Sequence, residues 1–109
     1  QIMTTRFEML LGNKIKELRE SRKLLQRQMA ISLGIDVPMY SRIERGERRA
    51  KREQVITLSR VLNVETEYLL CLWLADKIFA VIHEDSDLVD KTLRMVIENR
   101  NTESNGNNA

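Results

Sequence analysis

Gln26-Arg27-Gln28-Met29-Ala30-Ile31-Ser32-Leu33-Gly34-Ile35-Asp36-Val37-Pro38-Met39-Tyr40-Ser41-Arg42-Ile43-Glu44-Arg45-Gly46 is the stretch on which the reading of this chain turns. Its first eight residues place Met29, Ala30 and Leu33 inward on a helix only about two turns long, and Gly34 follows as a stop. Asp36 suits the N-cap of a next helix, where Pro38 is tolerated because first-turn amides have no intrahelical partner. That helix is expected over residues 36–45, ending at Gly46. The segment therefore reads as two short helices joined by a tight turn at Leu33-Gly34-Ile35-Asp36.

The same periodicity extends in both directions. Upstream, Leu11, Ile15 and Leu18 form an i, i+4, i+7 stripe on a helix expected over roughly residues 7 to 22. Downstream, Val55, Leu58 and Leu62 mark a fourth helix between Glu53 and Leu62. Glu65 to Ile82 reads as a long fifth helix, apolar on more of its circumference than a surface helix should be. A sixth is expected from Asp87 to about Asn99, with Val89, Leu93, Val96 and Ile97 as its apolar stripe. Residues 101–109 have almost nothing to bury and read as a disordered tail. The expected fold is all-α: a five-helix domain over residues 7–70 and a C-terminal helical extension over residues 71–100.

Composition narrows the function. With 109 residues, 42% hydrophobic and 31% charged, the chain has material for one packed core, and its 4 Gly and 1 Pro favour helix over sheet. The single cysteine, Cys71, reads as a small buried hydrophobe, and a lone Cys and a lone His83 give no basis for a zinc site or an intrachain disulfide. No metal or cofactor is expected. The longest apolar run, Leu69 to Ala75, is far short of the roughly 18 to 20 residues a membrane helix needs, and no signal-peptide pattern opens the sequence. A soluble, cytoplasmic protein without a membrane partner is expected. Gly-rich phosphate loops and H-E-x-x-H or G-x-S-x-G motifs are missing, which argues against an enzyme. Charge is unevenly placed: Gln1 to Arg60 holds 14 Lys and Arg against 7 Asp and Glu, whereas Val61 to Ala109 holds 4 against 9. A basic first half points to a polyanion, and an acidic second half to a different task.

Two short helices about a glycine turn fit a helix-turn-helix, in which the second helix enters the major groove. Leu11-Gly12-Asn13-Lys14-Ile15-Lys16-Glu17-Leu18-Arg19, Gln26 with Ala30, and Tyr40-Ser41-Arg42-Ile43-Glu44-Arg45-Gly46-Glu47-Arg48 resemble the Xre/phage-repressor family of helix-turn-helix regulators over about residues 10 to 70. Ala50-Lys51-Arg52-Glu53-Gln54-Val55 and Leu72-Trp73-Leu74-Ala75-Asp76-Lys77 are similar to a subgroup found near DNA methyltransferases. The resemblance implies a sequence-specific transcriptional regulator of double-stranded DNA, with Tyr40 and Ile43 inward on the recognition helix. Val37, Pro38, Met39 and Arg42 then face bases. Arg42 can bind guanine O6 and N7 in bidentate fashion, while the other three offer only apolar contact, for instance to thymine methyls. Gln26, Arg27, Ser41, Arg45, Arg48, Arg49 and Lys51 are expected at phosphates. Glu44 is implied to be a structural carboxylate paired with a helix-one arginine such as Arg19.

The apolar surplus of the last two helices, Leu72, Trp73, Phe79, Ile82, Val89, Leu93 and Val96, is expected to form a homodimer interface, with helix six folding back over helix five as the alternative. Two-fold pairing would set two recognition helices about 34 to 36 Å apart and demand a palindromic operator. No small-molecule effector is expected. The expected action is repression by occupancy; the alternatives are a controller of restriction-modification genes and an antitoxin-type protein whose C-terminal half binds a partner.

Overall fold

Helix α1 (Leu10–Ser21) turns Leu11 and Ile15 into the interior and leaves Lys16, Glu17 and Glu20 in solvent, as its apolar stripe dictates. The computed structural model describes the backbone of residues 9–108 and the side chains of residues 9–102; the expected first positions of α1, Phe7 and Glu8, lie outside the described residues. Helices α2 (Gln26–Leu33), α3 (Val37–Glu44), α4 (Arg52–Leu62) and α5 (Thr66–Ile82) follow, then a 3-10 turn at His83–Leu88 and α6 (Val89–Asn108). The described residues contain no strand.

Local chemistry explains the short helices. Gly34 ends α2 at φ 68°, a left-handed conformation costly for any residue with a Cβ. The Asp36 carboxylate accepts the Met39 amide at 2.8 Å, and Pro38 sits in the first turn of α3. Gln28 and Gln54 each reach back three residues, accepting the amides of Leu25 and Lys51 at 2.7 and 2.9 Å.

The core comprises Leu11, Ile15, Met29, Ala30, Tyr40, Ile43, Ala50, Val55, Leu58, Leu62, Leu69 and Trp73. Leu18 and Leu33 pack at its edge. Helix α5 is its floor, lying against α4 and α1, while α2 bears on α3 and α4. At Gly12 the backbones of α1 and α3 nearly touch: a Cβ there would stand 2.3 Å from the Glu44 carbonyl oxygen. Only glycine permits that approach.

Four expectations need correction. The boundary at 70/71 falls inside α5, whose second half belongs to the domain: the Asp76 carboxylate accepts the Leu10 and Leu11 amides at 2.9 and 3.0 Å, closing the N-terminus of α1. Cys71 is exposed, because the inward face of α5 is taken by Leu69, Trp73 and Asp76, at i, i+4, i+7. The sixth helix starts at Val89, since Asp85 has non-helical angles (φ −117°, ψ 43°) and the preceding turn is 3-10. It also continues to Asn108 through the segment expected as a tail. No proline interrupts it, and extending an existing helix costs far less than nucleating one. No helix among the described residues is long and apolar enough to cross a membrane.

Candidate nucleic-acid interface

Helix α3 is amphipathic in the sense the sequence leads one to expect. Tyr40, Ile43 and Glu44 are buried, while Val37, Pro38 and Arg42 are exposed and Met39 and Ser41 are half-buried. The outward face thus offers a short apolar patch beside one guanidinium. Arg42 is exposed and makes no ion pair among the described residues, although its charge, with that of Arg45, helps to lower the Glu47 pKa. Its carbonyl accepts the Glu47 amide at 2.9 Å, which folds the chain back after the helix.

What holds α3 in place is a buried network around Glu44. Arg19 of α1 donates through Nε to Glu44 Oε2 at 2.6 Å and through an Nη to Oε1 at 3.2 Å, while Tyr40 Oη donates to Oε2 at 2.6 Å and Gln26 Nε2 to Oε1 at 3.0 Å. The second Arg19 Nη donates to the Leu24 carbonyl at 2.9 Å. Three helices are therefore tied to one carboxylate that is only 3% exposed. Burial by itself would raise its pKa, but the hydrogen bonds from Arg19, Tyr40 and Gln26 outweigh that and hold it below its ordinary value. Burial and the Glu44 charge push the Tyr40 phenol up, so it remains a donor throughout the accessible pH range. The expected Arg19–Glu44 pair is present. Gln26, expected at a phosphate, has its amide nitrogen on Glu44 and stands at the first position of α2.

The cations after α3 divide into two sets. Arg45 is committed, donating to both Glu47 carboxylate oxygens at 2.9 and 3.1 Å and to the Ser41 hydroxyl. Both members of that pair are about half exposed, so exchange of Glu47 for a phosphate costs little. Arg48, Arg49 and Lys51 are exposed and in no ion pair among the described residues, as is Arg27 on α2. Their loop is pinned from below: Trp73 Nε1 donates to the Ala50 carbonyl at 2.7 Å, with the Arg52 guanidinium 5.1 Å and the Lys77 ammonium 3.6 Å from the indole centroid.

Trp73 is thus misplaced in the expected dimer interface. It is 6% exposed within one chain, because its indole is the support of the cationic loop. Leu72, Phe79 and Ile82 are half-buried, as are Val89 and Leu93, whereas Val96 is exposed. Four contributions escaped the sequence: the Tyr40 hydroxyl and the Gln26 amide on Glu44, the Asp76 cap and the Trp73 pin. The last two share the i, i+4, i+7 spacing Leu69, Trp73, Asp76, a signal hidden by the apolar residues around it.

A two-helix motif with a glycine turn, an outward arginine on its second helix and free cations after it defines a class: residues 15–69 match the helix-turn-helix family, and the chain belongs to it. Among curated proteins, it is 36% identical over 61 residues to the uncharacterized HTH-type transcriptional regulator YqaE of Bacillus subtilis (strain 168), covering 56% of this chain and 53% of that one. It is 31% identical over 90 residues to the HTH-type transcriptional regulator ImmR of the same organism, covering 83% of this chain and 67% of that one. The chain thus spans about half the length of YqaE and two thirds of ImmR. The crystal structure of the clp gene regulator ClgR from Corynebacterium glutamicum shares the fold, with a TM-score of 0.56 at 19% identity over 77% of this chain and 87% of that one.

Proposed function

We propose that this chain is a DNA-binding transcriptional regulator that acts in the cytoplasm as a homodimer, occupying an inverted-repeat operator and needing no cofactor or catalytic step. The observation that carries this reading is the run of exposed cations from α3 into the loop after it, Arg42 and then Arg48, Arg49 and Lys51, none of them in an ion pair among the described residues. Arg42 reads guanine, and Val37, Pro38 and Met39 contact apolar base edges. Arg27, Ser41, Arg45, Arg48, Arg49, Lys51 and the N-terminus of α2 at Gln26 hold phosphates and fix the register. With so few polar readers, DNA shape carries much of the remaining specificity. The helix-turn-helix relatives, both named as transcriptional regulators, support the regulatory role.

Anisotropy titration of a mixed-sequence duplex at several salt concentrations tests the polyanion part. Five cations at phosphates predict a slope of log K against log salt on the order of −4 per protomer. A slope near zero would remove the basic half from the interface.

A further inference from the structure

Two apolar stripes are left uncovered by the other described residues. On α5, Cys71, Leu74, Ile78 and Val81 recur at intervals of three, four and three, the alternation of a coiled-coil seam, and all four are exposed, Val81 to 78%. Charge does not interrupt this stripe, because Asp76 is turned to the α1 amides and Lys77 to the Trp73 ring. On α6, Val89, Leu93, Val96 and Ile97 share one side; the first two are half-covered, and Val96 and Ile97 are 59% and 52% exposed. The two stripes match in length, rising about 15 and 12 Å along their helices.

Helix α6 does not cover its own chain's stripe. Its packing partner is the 3-10 turn before it, and the Cα radius of gyration, 16.4 Å, exceeds the roughly 13 Å of a compact chain of this length, as a helix projecting from the body requires. From these observations we infer that α6 of one copy lies along the Cys71, Leu74, Ile78, Val81 stripe of a second copy, and reciprocally, in an arm-exchanged dimer. This rests on the homodimer reading above and moves its seam on α5 from the buried Trp73 and the half-buried Leu72, Phe79 and Ile82 to the exposed face. The occupant is a second copy because an isologous pair needs complementary patches on one chain, and this chain carries both, each apolar. One two-fold operation covers all four stripes. The charges that flank the α6 stripe, Asp90, Lys91, Arg94 and Glu98, are balanced in sign and oppose no charge on the α5 stripe.

Sedimentation of the full chain at micromolar concentration, with chemical cross-linking, tests this. The wild type is expected at about twice 12.8 kDa. Val81→Glu and Val96→Glu each shift it to monomer, while Ile31→Glu, at an exposed site on α2, leaves the dimer intact. Val81 is largely in solvent in the single chain, so its variant keeps the wild-type helical circular dichroism. For cross-linking, a Cys71→Ser/Val96→Cys chain is mixed with the wild type and treated with a short bis-maleimide. A link between Cys71 of one chain and residue 96 of the other is expected. A Cys71–Cys71 link in the wild type alone would overturn the inference in favour of α5 on α5. A link from Cys71 to residue 96 inside one Val96→Cys chain would overturn it in favour of fold-back, and a wild-type monomer would end it. In that last case duplex binding by the monomer leaves the DNA reading standing, whereas a dimer that ignores DNA defeats that reading alone.

Discussion

Arg42 and Glu44 stand two residues apart on α3 and do opposite things, because one faces water and the other three donors. Arg42→Ala is expected to weaken the best operator by roughly 1 to 3 kcal/mol and to relax preference at one base pair; equal loss on scrambled DNA would place Arg42 at a phosphate. Glu44→Gln leaves the buried Arg19 with only the exposed Glu20 carboxylate, 3.8 Å away, as counter-charge, a loss of roughly 3 kcal/mol at neutral pH. Since the folded carboxyl sits below its unfolded value, the stability it adds is present above the unfolded pKa of about 4.3 and is lost as pH falls through the folded one. Urea midpoints of wild type and Glu44→Gln should therefore converge in acid; a gap constant with pH would contradict the network. The Arg19–Glu44 pair was legible through the family's motif. Tyr40 and Gln26 were not, because which polar atoms converge on a carboxylate depends on how three helices cross.

At the scale of elements, caps and spacings were readable: Asp36 and Gly34 bound α3 and α2 for local reasons that the sequence states outright. Helix α5 was harder to read, since a helix apolar all round does not say which side is inward, and so Trp73 was expected at an interface and Cys71 in the core. Geometry assigns Trp73 to the loop. Trp73→Phe strands the buried Ala50 carbonyl and should cost about 1 to 3 kcal/mol in urea unfolding with the m value unchanged. No loss would show that the loop is held otherwise. Arg48→Ala with Arg49→Ala should weaken all duplexes alike and flatten the salt slope by up to about 2 units per protomer, and an unchanged slope would take both arginines off the backbone. Gly12→Ala forces α1 away from the end of α3 and should lower the thermal midpoint far more than Asn13→Ala, its exposed neighbour.

For the whole molecule, the division of charge between halves matches a division of surfaces. The first half carries the exposed cations of α3 and the loop after it, and the second half carries the exposed apolar stripes of α5 and α6. That division was visible in the sequence as a count, but which stripe stays uncovered depends on where α4 and α1 press on α5, which no local pattern encodes. The extension of α6 to Asn108 likewise follows from helix propagation rather than from any apolar periodicity. Selection of bound duplexes from a random DNA library, with anisotropy titration of the winner against scrambled DNA, tests the central claim most directly. The account predicts an inverted repeat with at least one G in each half, its halves one helical turn apart, bound at least about 10³-fold more tightly than scrambled DNA. Recovery of no motif, with weak binding at every salt concentration, would contradict it.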